Sequence, residues 1–294
     1  MLALDLGVVQ RRAHFPSMKE AMAWSGVWIG LAVCFGIFIL FERGTAKAME
    51  YFSGYLVEEA LSVDNVFVFI VILTYFAVPQ NVQHKVLFWG VLSAIILRAL
   101  FIVVGAVIVA KFHWVLYLLG IFLVITAVKL AIQEDVRVEP EKNPFVRLAR
   151  KFFPVTDSYA GGKFILRQNN RWVITPLFLV LATIETTDIA FATDSIPAIF
   201  ALTRDTMIIY TSNIFAVLGL RALYFVVAGF MKQFQYLKYG LSLVLGFIGV
   251  KMLIDRWVTV PIMVSLVVIF CVIALSVFFS LIIRPERKDA HGAS

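Results

Sequence analysis

The sequence predicts an all-α protein: a polytopic membrane helix bundle with two inverted three-helix repeats plus flanking helices. Three observations predict it. First, 61% of the 294 residues are hydrophobic, 15% are charged, and mean hydropathy is +0.91. Soluble domains carry roughly 45–50% apolar and about 25% charged residues, and a disordered chain needs low hydrophobicity. Second, eight apolar runs are each long enough to cross a bilayer, which takes about 20 helical residues. Third, charged residues inside those runs recur in the same order in both halves. Eight such helices leave no room for a separate soluble enzyme domain.

The elements follow in order. Residues 1–50 hold an N-terminal segment and the first run, 22–41. Residues 51–133 hold the first repeat, with runs at 51–76, 86–110 and 114–133. A polar connection, 134–172, carries Pro140, Pro144 and Pro154. Residues 173–254 hold the second repeat, with runs at 173–201, 206–230 and 236–254. Residues 255–294 supply the last run, 259–283, and a polar tail. The first 20 residues lack the apolar core and small-residue cut site of a cleavable signal peptide. Cys34 and Cys271 each stand alone in an apolar run and read as packing residues, with neither disulfide nor metal spacing.

The net charge of +7 reads as topogenic charge, not as a nucleic-acid surface. Lys and Arg number 16 at the N-terminus, the C-terminus and the connections after the second, fourth and sixth runs, against five in the other connections. The positive-inside rule then places both termini and the 134–172 connection in the cytoplasm, as in a multi-pass protein of a bacterial inner membrane. Within that connection, Asn143–Phe153 suits a short interfacial helix, with Phe145, Leu148 and Phe152 toward lipid and the bases toward headgroups. Lys163–Leu166 and Trp172–Ile174 flank Gln168-Asn169-Asn170 as a small hairpin would. An ordinary solvated linker is the alternative for both.

The repeat is carried by its polar residues. Leu97-Arg98-Ala99-Leu100-Phe101 returns as Leu220-Arg221-Ala222-Leu223-Tyr224, and Val128-Lys129-Leu130 as Val250-Lys251-Met252. Glu58, five residues and Asp64-Asn65-Val66 return as Asp188, five residues and Asp194-Ser195-Ile196. Chance similarity between apolar helices matches Leu and Val, but does not return an Arg, a Lys and an acidic pair in order. Three helices is an odd number, so the second copy enters the bilayer upside down. Inverted repeats recur in secondary transporters, with the site near the midplane where the copies meet.

Charges inside a bilayer are costly, about 2.5–3.5 kcal/mol at the centre on insertion scales, so they persist where they are paired or line a polar cavity. The second run holds Glu58, Glu59, Asp64 and Asn65, and the fifth holds Glu185, Asp188, Thr193, Asp194 and Ser195. At 100° per residue Glu58, Ser62 and Asn65 share one face, and Glu185, Asp188 and Ser195 the equivalent one. Asp64 and Asp194 lie about 120° away, and reach the same cavity from a bundle-buried or a broken helix. Pro197 offers a break that would free the Thr193 backbone carbonyl beside Asp194. Carboxylate, carbonyl and hydroxyl oxygens suit Mg²⁺, Ca²⁺ and Mn²⁺, whereas Zn²⁺ and Cu⁺ prefer His and Cys. His14, His84, His113 and His291 all fall in tails or connections. Six acids against Arg98, Lys129, Arg221 and Lys251 leave two negative charges, the complement of one divalent ion. The competing account is that the acids only pair with Arg98 and Arg221 and lock helices together. No enzyme is expected: the Gly-x-Gly-Asp motif of intramembrane aspartyl proteases, a phosphate loop, a Ser-His-Asp order and a dinucleotide fingerprint are all missing from the sequence.

These residues resemble the TerC family of integral membrane proteins, and its Alx-like branch, from about Arg11 to Arg284. The segments that carry the resemblance are Gly54–Glu58 with Leu61–Phe67, Asp188 with Phe191–Phe200, and Thr211–Ala216 with Gly219–Ala222. The resemblance implies export of Mn²⁺ from the cytoplasm, and protonation of Asp64 or Asp194 would release the ion and couple export to proton exchange. It assigns Glu58, Asp64, Asn65, Asp188, Asp194 and Ser195 to the metal, with Glu59 less typical of the family. Glu185 and the Thr193 carbonyl join on the chemistry above, and Arg98 and Arg221 balance charge. Related proteins often begin with a further helix that ends in an apolar-Asp-apolar stretch, like Met1-Leu2-Ala3-Leu4-Asp5-Leu6 here. Either a ninth span precedes this chain and Asp5 is another site residue, or Asp5 is a solvated N-terminal residue. The expected partners are the divalent ion and membrane lipid, with no cofactor and no nucleic acid. Metal delivery, or a tellurite- or metal-stress resistance complex without transport, is the alternative function.

Overall fold

The computed structural model describes residues 17–112, 114–132, 143–156, 158–168, 171–230 and 237–282. Asp5, His14, His113, His291 and the stretch read as the tail of a further helix lie outside them. Helix α1 (Met18–Arg43) starts at a reciprocal cap. The Ser17 hydroxyl accepts from Glu20 N–H, and the Glu20 carboxylate accepts from Ser17 N–H at 2.7 Å. Gly44, at φ +83°, turns the chain directly into α2 (Thr45–Tyr75), a backbone state that glycine adopts at little cost. Helix α2 ends where Ala77 takes φ +49° and Val78 N–H reaches the Leu73 carbonyl at 2.9 Å, and Pro79 then prevents continuation. Helices α3 (Gln80–Lys111) and α4 (Val115–Ile132) complete the first half.

The 134–172 connection is folded where it is described. Helix α5 (Pro144–Phe152) is capped by Asn143, whose carbonyl oxygen accepts from Phe145 and Val146 N–H. Phe145, Leu148 and Phe152 are exposed on one side while Val146 is buried, as an interfacial helix requires. Strands β1 (Ile165–Gln168) and β2 (Arg171–Ile174) pair antiparallel, Ile165 opposite Ile174. The linker alternative is thereby set aside. A short 3₁₀ turn, Ala160–Gly162, packs on α3, and the Lys85 ammonium donates to the Gly161 carbonyl at 3.3 Å. The Tyr159 hydroxyl donates to the Phe76 carbonyl, and burial raises its pKa.

Four helices follow: α6 (Pro176–Phe200), α7 (Thr206–Phe230), α8 (Leu237–Ile254) and α9 (Ile262–Ile282). Seven helices are long and apolar enough to cross a membrane among the described residues. The eighth long helix, α2, with 31 residues, is buried along most of its length and carries Glu50, Glu58, Glu59 and Asp64. The protein is a polytopic helical membrane bundle. Its closest helix pair is α4 with α8, where Gly120 faces Gly249 and the Ser242 hydroxyl donates to the Ala127 carbonyl at 2.7 Å. Helix α2 packs on α7 at Gly54 and Ser212, and α3 packs on α6 at Gly90 and Ile184. The acid-bearing helices α2 and α6 also touch each other.

Several expectations are corrected. Helix α6 runs through Pro197 to Phe200 without a break. Bundle burial of α2 and α6, not a broken helix, brings Asp64 and Asp194 inward. Helix α3 begins at Gln80, so His84 sits in its first turns and not in a connection. Cys34 and Cys271 are exposed on the outer faces of α1 and α9 and are not core residues.

Candidate functional site: an arginine between two acids

The site grows from α2, α3 and α6. Helical spacing puts Glu58, Ser62 and Asn65 on one side of α2, and all three are buried. Asp188 and Ser195 are buried on α6, and Arg98 is 1% exposed on α3. The Arg98 guanidinium lies between the two helices and forms ion pairs with Glu58 and Asp188. Its Nη2 donates to Asp188 Oδ1 at 3.1 Å, and its Nε to Asp188 Oδ2 at 3.5 Å. The Asn65 amide, turned to satisfy its neighbours, accepts from Arg98 Nη2 at 3.2 Å and donates to the Leu61 carbonyl at 3.1 Å. A guanidinium keeps its charge in proteins, so this centre joins one permanent cation to one acid from each half of the chain.

A second pair lies beside it. Asp194 is close enough for its charge to act on Asp64, and Lys129 acts on Asp194. The Thr126 hydroxyl donates to Asp194 Oδ1 at 3.2 Å. Glu185 accepts from the Ser93 hydroxyl on α3, and its other oxygen is buried without a protein partner among the described residues. Glu59 is hydrogen-bonded by Tyr55. Tyr55 packs with Tyr51, Ala32 and Ala216 between α1, α2 and α7. The Ser62 and Ser195 hydroxyls and Glu58 Oε2 are buried with no protein partner among the described residues.

The structure therefore brings Glu58, Asn65 and Asp188 together on Arg98, and Asp64 near Asp194. It leaves Glu59 and Glu185 on their own partners. Thr193 is exposed, and its hydroxyl donates to the Ala190 carbonyl at 2.6 Å. Arg221, the counterpart of Arg98, is partly buried within electrostatic reach of His84. Lys251 is buried and donates to the Ser265 hydroxyl at 3.0 Å, while its counterpart Lys129 is exposed. The four bases are thus not gathered around the six acids, and a charge count over the whole set does not describe one site. No three of His, Cys, Asp and Glu are grouped to hold a metal ion among the described residues. Sequence reasoning passed over Ser93 and Thr126. Both are polar residues in apolar helices, five positions before Arg98 and three before Lys129, and that spacing was the available signal.

A further polar recess opens where α2 begins and α6 and α8 end, with a volume of about 310 Å³ and Lys47, Glu50, Arg204, Lys251 and Asp255 in its wall. Glu50 accepts there from Lys47 at 2.8 Å and from the Thr203 hydroxyl. Arg43 pairs with Asp205 at 2.9 Å.

Residues 43–288 match the family described as the integral membrane protein TerC family. The chain belongs to the TerC family. Among its relatives is an uncharacterized membrane protein of Myxococcus xanthus, 48% identical over 96% of this chain and 88% of the relative. Another is Alx of Escherichia coli K12, described as a candidate membrane-bound redox modulator, 44% identical over 99% of this chain and 94% of the relative. A membrane protein of Rickettsia bellii is 40% identical over 98% of this chain and 95% of the relative. No solved structure matches the chain. The TerC match spans every residue of the Arg98 centre and of the Asp64–Asp194 pair.

Proposed function

We propose that this TerC-family chain is a secondary transporter that exports a hard divalent cation, Mn²⁺ foremost, from the cytoplasm across a bacterial inner membrane, with protons as the exchanged ion. One observation carries the reading: acids of α2 and α6 meet in the bundle interior in excess of the base between them. Glu58 and Asp188 share Arg98, and Asp194 lies within electrostatic reach of Asp64. Such a set is costly in a membrane, and a pure lock would need no second acid pair. Oxygen donors suit Mn²⁺, Mg²⁺ and Ca²⁺, and the choice of Mn²⁺ rests on the family resemblance.

The repeats at 51–133 and 173–254 support alternating access. Exchanging α2 with α6, α3 with α7 and α4 with α8 turns the Gly120–Gly249 contact into the Ser242–Ala127 contact. The same exchange turns the α2–α7 contact at Gly54 into the α3–α6 contact at Gly90. The proposed cycle includes a second arrangement in which the carboxylates converge on the ion. A redox role of the kind in the Escherichia coli relative's description enters here as a consequence of the metal moved.

The test is Mn²⁺ accumulation in cells that carry Asp64→Asn or Asp194→Asn. Loss of export with normal membrane abundance is expected, and unchanged export by both variants would falsify the assignment. The folded connection, held to α6 by the Asn143 amide donating to Thr186 at 3.1 Å, favours a second reading: docking in metal delivery or a metal-stress complex without transport. Purified protein in liposomes separates the two, because only a transporter gives metal flux without other proteins.

A further inference from the structure

We propose that Arg98 is a tethered counter-cation: its guanidinium holds the place of the transported ion between Glu58 and Asp188, and a divalent ion must displace it to bind. The inference rests on the transport reading above. Arg98 comes from α3, while its two acids come from α2 and α6, one from each half of the chain. It is almost wholly buried, and Asn65 accepts a further hydrogen bond from it. Oxygens that the guanidinium does not use are buried with no protein partner among the described residues: Glu58 Oε2, Ser62 Oγ one turn along α2, and Ser195 Oγ two turns along α6 from Asp188. A centre built only to fasten three helices would leave those groups apolar, because each buried unpaired polar atom is destabilising. A centre that exchanges one cation for another needs them as ligands in its other state.

The arrangement also gives a basis for selectivity. Coulomb attraction scales with the product of the charges. A monovalent ion therefore offers the two carboxylates no more than the guanidinium already supplies, and it must also shed its water. A divalent ion offers twice as much. Arg98 thus sets a threshold of charge that sodium and potassium do not pass. It is a specificity-determining residue and not a ligand. The grouping observed here, with no three acids around one point among the described residues, is the state in which the arginine occupies the site.

The experiment measures Mn²⁺ binding, not transport, by the loss of the free-ion electron paramagnetic resonance signal on titration of purified protein. Arg98→Gln is expected to bind Mn²⁺ on the order of tenfold more tightly than the unaltered chain, equivalent to about 1.4 kcal/mol. Sodium should compete in that variant and not in the unaltered chain. Millimolar guanidinium chloride should return the variant toward the original affinity, a response that a merely structural arginine does not produce. Arg98→Lys keeps a charge but not the fork that spans two carboxylates. It is expected to tighten binding about threefold, roughly half of that free-energy difference, and it decides the matter where Arg98→Gln does not yield folded protein. Original affinity in folded variants, with no effect of guanidinium or sodium, overturns the counter-cation role and leaves the transport reading standing. Failure of the unaltered chain and of both variants to bind Mn²⁺ overturns the two together.

Discussion

Replacing Gly249 by alanine tests whether α4 and α8 form the fixed joint of the bundle. A Cβ at 249 would sit 2.9 Å from the Gly120 carbonyl oxygen, 2.9 Å from Val124 Cγ2 and 3.0 Å from the Val124 nitrogen. Two of these are backbone atoms and cannot rotate away. To restore ordinary contact the helices must part by roughly half an ångström along their closest line. Small residues at such crossings exist to permit backbone approach, since packing replaces the hydrophobic effect as the driving force in lipid. Overpacking of this kind costs about 1–3 kcal/mol. Gly246→Ala is the internal control, because its Cβ would meet Ala127 Cβ at 3.6 Å, an ordinary contact. The assay is unfolding of purified protein by titrated denaturing detergent, followed by helical circular dichroism. Equal stability of Gly249→Ala and the unaltered chain, or equal loss in both variants, would refute the reasoning.

Three further outcomes are expected. Asn143→Ala removes both the cap of α5 and the bond to Thr186, a loss of about 1 kcal/mol for the cap, and trypsin should cut at Arg147, Arg150 and Lys151 faster. A spin label on Leu148→Cys, with Cys34 and Cys271 replaced by serine, should report the headgroup–acyl boundary, and a label in bulk water would contradict the interfacial placement of α5. Asp205→Ala loses the ion pairs to Arg43 and Lys47 and the cap on Met207 N–H. Because the pairs are partly exposed, the cost should stay near 1 kcal/mol and shrink toward that of the cap alone as salt is added. A loss several times larger in the same detergent titration would show that this end of the bundle is locked by charge.

Much of this architecture was legible because bilayers impose strong rules. Long apolar runs gave the helices, and local chemistry gave the small features: Asn143 before Pro144 for α5, and a polar Gln168-Asn169-Asn170 between apolar pairs for the hairpin. The face shared by Glu58, Ser62 and Asn65 also follows from helical geometry alone. Which base meets which acid did not follow. Arg98 and Arg221 sit in near-identical sequence, yet only Arg98 lies between α2 and α6, because that depends on the neighbours each helix finds. Lys129 and Lys251 part in the same way, one exposed and one buried against Ser265. The proline at 197 misled for a different reason. Pro197 lies three residues before Phe200 closes α6, so the one backbone bond it removes is not enough to interrupt the helix.

Helix α3 holds 32 residues, about 48 Å at 1.5 Å per residue, while the hydrocarbon layer is about 30 Å thick and helices tilt by at most ~40°. Its ends must stand proud of the lipid tails. One protruding end carries Lys85, which grips the Gly161 turn, and Arg98 lies 13 residues further along the same rod, about 20 Å away. Lys85 and Arg98 thus tie the folded connection at the membrane surface and the buried ion pairs to one and the same rod.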